Sequence, residues 1–194
     1  MVKKILYIDT ETTGISTKHG LVEIAAFLEF DGKEVDRFHA YARPYEDDLI
    51  HPDALKANGL SAEEIKGFEE PKKVHKKFTD WLSEYVDKFD RTDKCLFCAY
   101  NARFDADHMR AWFKKAGDKY FGSWFWNPAI DSMMLAALDL HKDRAELEDF
   151  KQASVAQFYG INVDASQLHG AVYDCELNRR IFKAAMVSLG GGKR

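Results

Sequence analysis

The chain has 194 residues, of which 46% are hydrophobic and 31% are charged, a size and composition that suit one soluble domain with a substantial core. No stretch approaches the roughly 20 apolar residues that a membrane span needs, which excludes a transmembrane protein. The formal net charge of −4 argues against a protein that grips long nucleic acid by a general basic surface, but not against one that meets phosphates through metal ions.

The N-terminus and the cysteines indicate a cytoplasmic protein without membrane association. The first four residues run straight into an apolar segment and leave no room for a signal peptide. Cys95, Cys98 and Cys175 are odd in number, so a disulfide framework is not expected. Cys95 and Cys98 form a C-x-x-C pattern inside an apolar run, where core packing is favoured over a zinc or redox site.

The first predicted element is a buried strand, Ile5–Ile8, followed at once by Asp9-Thr10-Glu11-Thr12-Thr13-Gly14. Because side chains alternate along a strand, Asp9 and Glu11 project from the same face. Two carboxylates at the end of an apolar strand repel each other and lose hydration, and a pair of divalent metal ions would compensate them. The alternative is that Asp9 begins a turn and Glu11 is merely exposed.

A meander of strands comes first, and helices and strands then alternate. The signal Asp31-Gly32 predicts a hairpin. The predicted strands are Ile5–Ile8, Leu21–Phe30, Val35–Ala42, Cys95–Tyr100 and Ala129–Asp131. The predicted helices are Asp53–Ala57, Ala62–Lys66, a helix after Pro71 with an apolar stripe that reaches Phe89, a helix that ends at about Lys115, Ser132–Leu140, Leu147–Tyr159 and a C-terminal helix from Ala171 to Leu189. This order predicts one three-layer α/β domain with a mixed sheet over residues 1–189 and a disordered tail at 190–194.

Asp105 is the next acid that suggests a site, because it follows the predicted strand Cys95–Tyr100. On a helix it shares a face with Met109 and Trp112 and therefore points inward. An acid at the carboxyl end of a strand lies where ligand sites form in open α/β sheets. The helix dipole also favours an acid at this position but does not explain its inward direction.

Asp174 lies in the opening turn of the predicted C-terminal helix, at the edge of its apolar stripe, where the helix dipole again favours an acid. His169 precedes Asp174 by five residues, about 140° away on a helix, so it is expected in the preceding loop. A mobile histidine that titrates near neutrality suits general-base work on water. The alternative is an ordinary surface histidine beside the turn at Gly170.

Three segments together resemble the exonuclease motifs of the DEDDh family, proofreading-type 3′–5′ exonucleases of the DnaQ-like superfamily that includes the epsilon subunit of bacterial DNA polymerase III. They are Asp9-Thr10-Glu11, Asn101-x-x-Phe104-Asp105 and His169-Gly170-Ala171-Val172-Tyr173-Asp174, in this order along the chain. Val22–Ala25 and Ala129–Ser132 are also similar to secondary signatures of the family.

The resemblance implies a ribonuclease-H-like three-layer α/β fold with a mixed five-stranded sheet flanked by helices. It implies two Mg²⁺ or Mn²⁺ ions held by Asp9, Glu11, Asp105 and Asp174. His169 would take the proton from the attacking water, and the product would be a nucleoside 5′-monophosphate. Of the remaining motif residues, Thr10, Thr12, Thr13 and Gly14 would seat the 3′ nucleotide, Ile15 would wedge against its base, and Asn101 would help to orient the strand.

The expected substrate is the 3′ end of single-stranded DNA. RNA or short oligoribonucleotides are an alternative, because no residue shows whether a 2′-hydroxyl is contacted. A third hypothesis is a non-catalytic module that binds nucleic acid or a partner. Epsilon subunits continue into a tail that binds the polymerase, and almost nothing follows Leu189 here, so we expect a stand-alone nuclease although association with a DNA polymerase is possible.

Two surface features have two interpretations each. Lys72, Lys73, Lys76 and Lys77 form either a solvated helix face or a weak track for backbone phosphates. The aromatic residues of 120–126 either stack bases of a single strand or pack their loop onto the core.

Overall fold

A five-stranded mixed sheet with the strand order β3-β2-β1-β4-β5 forms the centre of the computed structural model, which describes residues 3–191. The strands are β1 (Lys4–Thr12), β2 (Leu21–Phe30), β3 (Lys33–Tyr41), β4 (Leu96–Ala99) and β5 (Ile130–Asp131). Strands β1, β2 and β3 are antiparallel neighbours, whereas β4 runs parallel to β1 and β5 parallel to β4. The predicted mixed sheet is therefore confirmed.

Helices cover both faces of the sheet. They are α1 (Pro52–Ala57), α2 (Ala62–Gly67), α3 (Pro71–Ser83), α4 (Ala102–Ala116), α5 (Phe121–Trp124), α6 (Ser132–Asp139), α7 (Gln152–Phe158) and α8 (Ala171–Leu189). Alternate residues of β1 face opposite layers: Leu6 and Ile8 pack with α3 and α4, while Ile5 and Tyr7 pack with α8. Strand β1 is therefore buried on both faces, with α3 and α4 on one side of the sheet and α8 on the other.

The hairpin between β2 and β3 follows the prediction. Asp31 and Gly32 have φ values of 49° and 83°, the left-handed pair that a type I′ turn needs. The three cysteines are buried with free thiols, as expected for core residues.

Helix α3 is shorter than predicted and ends at Ser83, and Phe89 is 85% exposed instead of joining the apolar stripe. Asp87 and Asp90 accept hydrogen bonds from the backbone N–H groups two residues further on, at Phe89 and Thr92. Such local bonds offer the backbone an alternative to the helix.

Helix α7 also begins later than predicted, at Gln152. Asp149 accepts bonds from the Lys151 N–H and the Ser154 hydroxyl, so a turn replaces the expected first helical turn.

The aromatic segment supports the packing interpretation for most of its residues. It contains the short helix α5, and Phe121, Trp124 and Phe125 are buried in the core. Trp126 and Tyr120 keep exposed fractions of 38% and 61%.

Two predictions, the disordered tail and the cytoplasmic location, are not tested by the structure. Helix α8 ends at Leu189 and is capped by Gly190, and 192–194 lie outside the described residues, so the disordered tail stays a prediction. Among residues 3–191 no helix combines the length and apolarity that crossing a membrane requires. The cytoplasmic location stays a prediction.

Candidate active site

Three of the four predicted metal ligands meet at the end of β1. Asp9, Glu11 and Asp174 offer carboxylate oxygens that all lie within 4.8 Å of one another. Asp9 and Glu11 project from one face of β1, and Asp174 comes from the first turn of α8, which packs on that face. The Cys175 thiol donates to the Tyr7 carbonyl over 3.2 Å and anchors this turn of α8 to β1.

The fourth acid, Asp105, approaches β1 from α4 and is 3% exposed. Its Oδ1 accepts hydrogen bonds from the Thr10 N–H at 3.0 Å and the Thr10 hydroxyl at 2.8 Å. Asp105 is not among the three residues whose ligand atoms converge, but its charge is close enough to raise the pKa of Asp9 and of Glu11. Thr10, predicted to seat a nucleotide, is buried with its hydroxyl directed to Asp105.

The electrostatics of this cluster favour a bound cation. Burial raises the pKa of Asp9 well above its ordinary value, and the charges of Asp105 and Glu11 add to the effect. Burial, followed by the charges of Asp174, Glu23 and Asp105, raises the pKa of Glu11 to about 8. Burial raises the pKa of Asp105 to about 7, although the bonds from Thr10 oppose the change. Carboxylates with such raised pKa values are unfavourable as bare anions.

One oxygen of Asp174 identifies where a cation fits. Burial raises the pKa of Asp174, and its Oδ2 accepts a hydrogen bond from the backbone N–H of His169 at 3.0 Å. Its Oδ1 is buried and has no hydrogen-bond partner among the described residues. A buried carboxylate oxygen without a donor is costly, and a hard divalent cation is a ligand that would satisfy it. The donor set, all carboxylate oxygens, fits Mg²⁺ or Mn²⁺.

His169 lies in the loop before α8, as predicted, with an exposed side chain. Its φ of 65° places it in the left-handed region, which histidine enters more readily than most residues. This bend directs its backbone N–H to Asp174. The backbone of His169 is therefore held beside the acids, while its side chain is exposed to solvent.

Asp131 positions the start of α4, a role that sequence reasoning missed. Its Oδ1 accepts from the N–H of Asn101 and its Oδ2 from the N–H of Ala102, each at 3.1 Å. Asn101 has a left-handed backbone with φ 62°. Asp131 also caps α6 by accepting from the Met133 N–H at 3.0 Å. The sequence offered one signal, an acid directly before the predicted helix Ser132–Leu140. The contact of Asp131 with Asn101 depends on the pairing of β5 with β4, which no local pattern shows.

The threonines after Glu11 build the turn that presents Ile15. The Thr12 hydroxyl donates to the Gly14 carbonyl at 2.7 Å, and the Thr13 hydroxyl donates to the Leu49 carbonyl at 2.6 Å. Gly14 lies against the ring of His19, where an added Cβ would collide. Ile15 is 87% exposed at the tip. It borders a groove of about 300 Å³, together with Asn101, Arg103, Phe104 and His108.

Glu23 is a second acid that sequence reasoning did not place in the site. It pairs with Glu11 across β1 and β2 and is 5% exposed. Its Oε1 lies 2.7 Å from Nε2 of His39, and its charge raises the pKa of Glu11. The signals in the sequence were an acid within the apolar run of β2 and the resemblance of Val22–Ala25 to a secondary signature of the family.

Comparison with known proteins identifies the family of the chain and agrees with its fold. Residues 6–182 match the RNase_T family, described as Exonuclease. The chain belongs to this exonuclease family, within the DnaQ-like 3′–5′ exonucleases. It is 27% identical over 169 residues to the DNA polymerase III PolC-type of Bacillus cereus, covering 87% of this chain and 10% of that one. Against the PolC-type polymerase of Staphylococcus haemolyticus the identity is 26% over 184 residues, covering 93% and 11%.

The chain thus spans about a tenth of the length of the curated relatives it matches. Among solved structures, Escherichia coli Exonuclease I in complex with a dT13 oligonucleotide superposes with a TM-score of 0.74 at 20% identity, covering 95% of this chain and 41% of that one. These values establish the shared fold.

Proposed function

We propose that this protein is a metal-dependent 3′–5′ exonuclease that releases nucleoside 5′-monophosphates from the 3′ ends of single-stranded DNA. The convergence of Asp9, Glu11 and Asp174 at the end of β1, with one oxygen of Asp174 buried and unpaired, carries the proposal. A degenerate, non-catalytic module would have no need to keep this unfavourable cluster.

The cluster would hold two divalent cations, Mg²⁺ or Mn²⁺, with Asp9, Glu11 and Asp174 as ligands and Asp105 contributing from the α4 side. When bound, the ions would polarise the phosphodiester and lower the pKa of the attacking water. Thr10 keeps Asp105 directed at β1 through two hydrogen bonds.

His169 is the proposed general base. Its backbone bond to Asp174 keeps it next to the acids, and its exposed imidazole can turn toward a water molecule on the open side. The imidazole accepts the proton of that water as the water oxygen bonds to the terminal phosphorus. The bond from phosphorus to the 3′ oxygen of the preceding nucleotide breaks, and that oxygen takes up a proton from water. The shortened strand therefore leaves with a 3′-hydroxyl, and the removed nucleotide leaves as a 5′-monophosphate.

The 3′ nucleotide is proposed to lie in the groove between the Ile15 turn and the start of α4. Ile15 supplies an exposed apolar side chain to wedge against the base, and Asn101 borders the groove on its other side. Thr10, Thr12, Thr13 and Gly14 contribute by shaping the wall, since the three hydroxyls are already bonded within the protein.

The substrate assignment to DNA draws on the relatives. Those matched by sequence are DNA polymerases by name, and the matched Exonuclease I structure holds a dT13 oligonucleotide. The names of the polymerase relatives also suggest a DNA polymerase as a partner, and this association stays a prediction.

The test follows mononucleotide release from end-labelled single strands of one sequence, as DNA and as RNA, with Mg²⁺ or Mn²⁺ and with a chelator. We expect label at the 3′ terminus to be released first, activity to vanish with the chelator, and DNA to be the faster substrate. Glu11→Gln should be inactive. An RNA rate well above the DNA rate would assign the enzyme to RNA, and wild-type activity in Glu11→Gln would indicate a contaminant and refute the proposal.

A further inference from the structure

The outer face of α4 carries a row of cations that the proposed reaction does not use. Arg103, Arg110 and Lys114 are separated by seven and four residues, so they share one helix face, and all three are exposed. Lys119, also exposed, follows the end of the helix. Arg103 and Lys114 are about 16 Å apart along the helix axis.

This row begins at the candidate active site. Arg103 borders the groove that also contains Ile15 and Asn101. Arg103 and Arg110 each have a guanidinium nitrogen 3.6 Å from the carboxylate of Asp107, which lies between them. A strand whose 3′ end occupies the active site would therefore meet these cations as it leaves.

Beyond Arg110 the surface opens into a second groove of about 490 Å³, between α4 and the segment 119–127. Its walls include Arg110, Lys114, Lys119, Phe121, Phe125 and Asn127. The Arg110 guanidinium lies 4.8 Å from the centre of the Phe121 ring. Arginine and lysine cations and a side-chain amide are groups that contact the phosphate oxygens of a nucleic-acid backbone.

Of the three cations in this groove, Arg110 shares Asp107 with Arg103, whereas the two lysines differ. Neither Lys114 nor Lys119 forms an ion pair with any other residue between 3 and 191. Three of the four lysines of the α3 stripe differ, because Lys73 pairs with Glu70, Lys76 with Asp80 and Lys77 with Glu69. The paired lysines of α3 therefore fit the interpretation as a solvated face, whereas Lys114 and Lys119 keep a positive charge that a ligand can meet.

We propose that the α4 groove, defined by Arg110, Lys114 and Lys119, binds the phosphates of the single strand on the 5′ side of the nucleotide being removed. This inference rests on the proposed function. Phosphate contacts of this kind are independent of sequence and sensitive to salt. They give longer strands a higher affinity than the terminal nucleotide alone has.

The test compares two substrates in an Arg110→Gln, Lys114→Gln, Lys119→Gln triple variant. One is a single-stranded DNA of about 15 nucleotides, and the other is the p-nitrophenyl ester of thymidine 5′-monophosphate, which occupies only the terminal position. We expect the KM of the long strand to rise by about tenfold or more and the dependence of log KM on log salt concentration to weaken by about 2. The kcat/KM of the ester should not change.

A Lys72→Gln, Lys73→Gln, Lys76→Gln variant is the matched control, since it removes the same charge from α3. Its KM for the long strand and its kcat/KM for the ester should equal those of the wild type. The proposed groove would be refuted if the two triple variants changed the KM of the long strand equally. It would also be refuted if the α4 variant lost activity equally on the ester and on the long strand.

A separate readout distinguishes this inference from the proposed function. Fluorescence anisotropy of a labelled strand with the Glu11→Gln protein measures binding without hydrolysis. If the wild type hydrolyses neither substrate, the proposed function is wrong, but the anisotropy measurement still tests whether the α4 groove binds the strand. Weaker binding with a smaller salt dependence in the α4 triple variant, and not in the α3 control, supports binding at the groove. Unchanged binding in the α4 variant refutes it.

Discussion

The backbone of His169 is bonded to Asp174, whereas its side chain is exposed. A change of the side chain therefore tests the role of His169 in catalysis separately from its role in the structure. His169→Ala should lower kcat by on the order of 10²–10⁴, because it removes the proton acceptor, and should leave Mn²⁺ binding unchanged in calorimetry. His169→Asn is the control, since asparagine tolerates the left-handed backbone that the φ of 65° requires. Activity restored by asparagine would mean that position 169 acts through its backbone, and loss of Mn²⁺ binding would contradict its assignment as base.

Glu11 should make metal binding and stability depend on pH. Its pKa rises from an ordinary value of 4.5 to about 8 in the fold, so the folded state holds the proton between these values while the unfolded chain has lost it. The free energy of unfolding of the metal-free protein should therefore fall as pH rises from about 4.5 to about 8.

Mn²⁺ competes with that proton, so the rise in Tm that Mn²⁺ causes should be larger at pH 8.5 than at pH 6. Thermal melts with and without Mn²⁺ measure both effects. The dependence should be weaker in Glu11→Gln, and an increment in Tm that is the same at both pH values would contradict the account.

At the scale of elements, the turn at Asn101 and the helix α4 depend on Asp131. Asp131→Ala removes the acceptor for the N–H groups of Asn101 and Ala102 and the cap of α6, and should lower the free energy of unfolding by about 1–3 kcal/mol. It should also lower kcat at temperatures where the protein is folded, because the shifted helix carries Asp105.

Ser61→Ala is the control for this change. It removes the capping box of α2 and should cost about 0.5–2 kcal/mol without changing kcat. Urea denaturation and steady-state assays compare the two variants. A kcat for Asp131→Ala equal to that of Ser61→Ala would show that Asp131 contributes stability alone.

Local sequence signals predicted the elements whose causes are local. The Asp31-Gly32 turn, the inward direction of Asp105 and the loop position of His169 follow from turn chemistry and helical periodicity. Helices α3 and α7 were predicted too long, because short side-chain bonds from Asp87, Asp90 and Asp149 compete with the helix and do not appear in a hydrophobic pattern.

Contacts that depend on strand pairing could not be predicted. Glu23 enters the site only because β2 pairs with β1 in the register that sets it opposite Glu11. A contact between a helix and a distant strand could not be predicted either. The Asn178 side chain on α8 donates to the Cys98 carbonyl of β4 at 3.0 Å and so ties α8, which carries Asp174, to the sheet. Registers between distant segments are properties of the folded sheet.

At the scale of the whole molecule, ion pairs join α8 to β2. Glu29 is 1% exposed and accepts from Arg179 at 3.2 Å and from Lys183 at 2.5 Å. Glu29→Gln should lower the free energy of unfolding by roughly 1–3 kcal/mol, because it removes the buried carboxylate that Arg179 and Lys183 both contact. Since Glu29 lies outside the acidic cluster, kcat should stay at the wild-type value. Urea denaturation with parallel assays tests this, and a marked fall in kcat would contradict it.

The account depends most on the acids of β1 and α8 forming one cation site. Anomalous diffraction from crystals soaked in Mn²⁺ tests this directly. We predict manganese peaks bound by carboxylate oxygens of Asp9, Glu11 and Asp174, and their loss in crystals of Glu11→Gln. Manganese bound elsewhere on the protein, with these three carboxylates making no contact to it, would contradict the central claim.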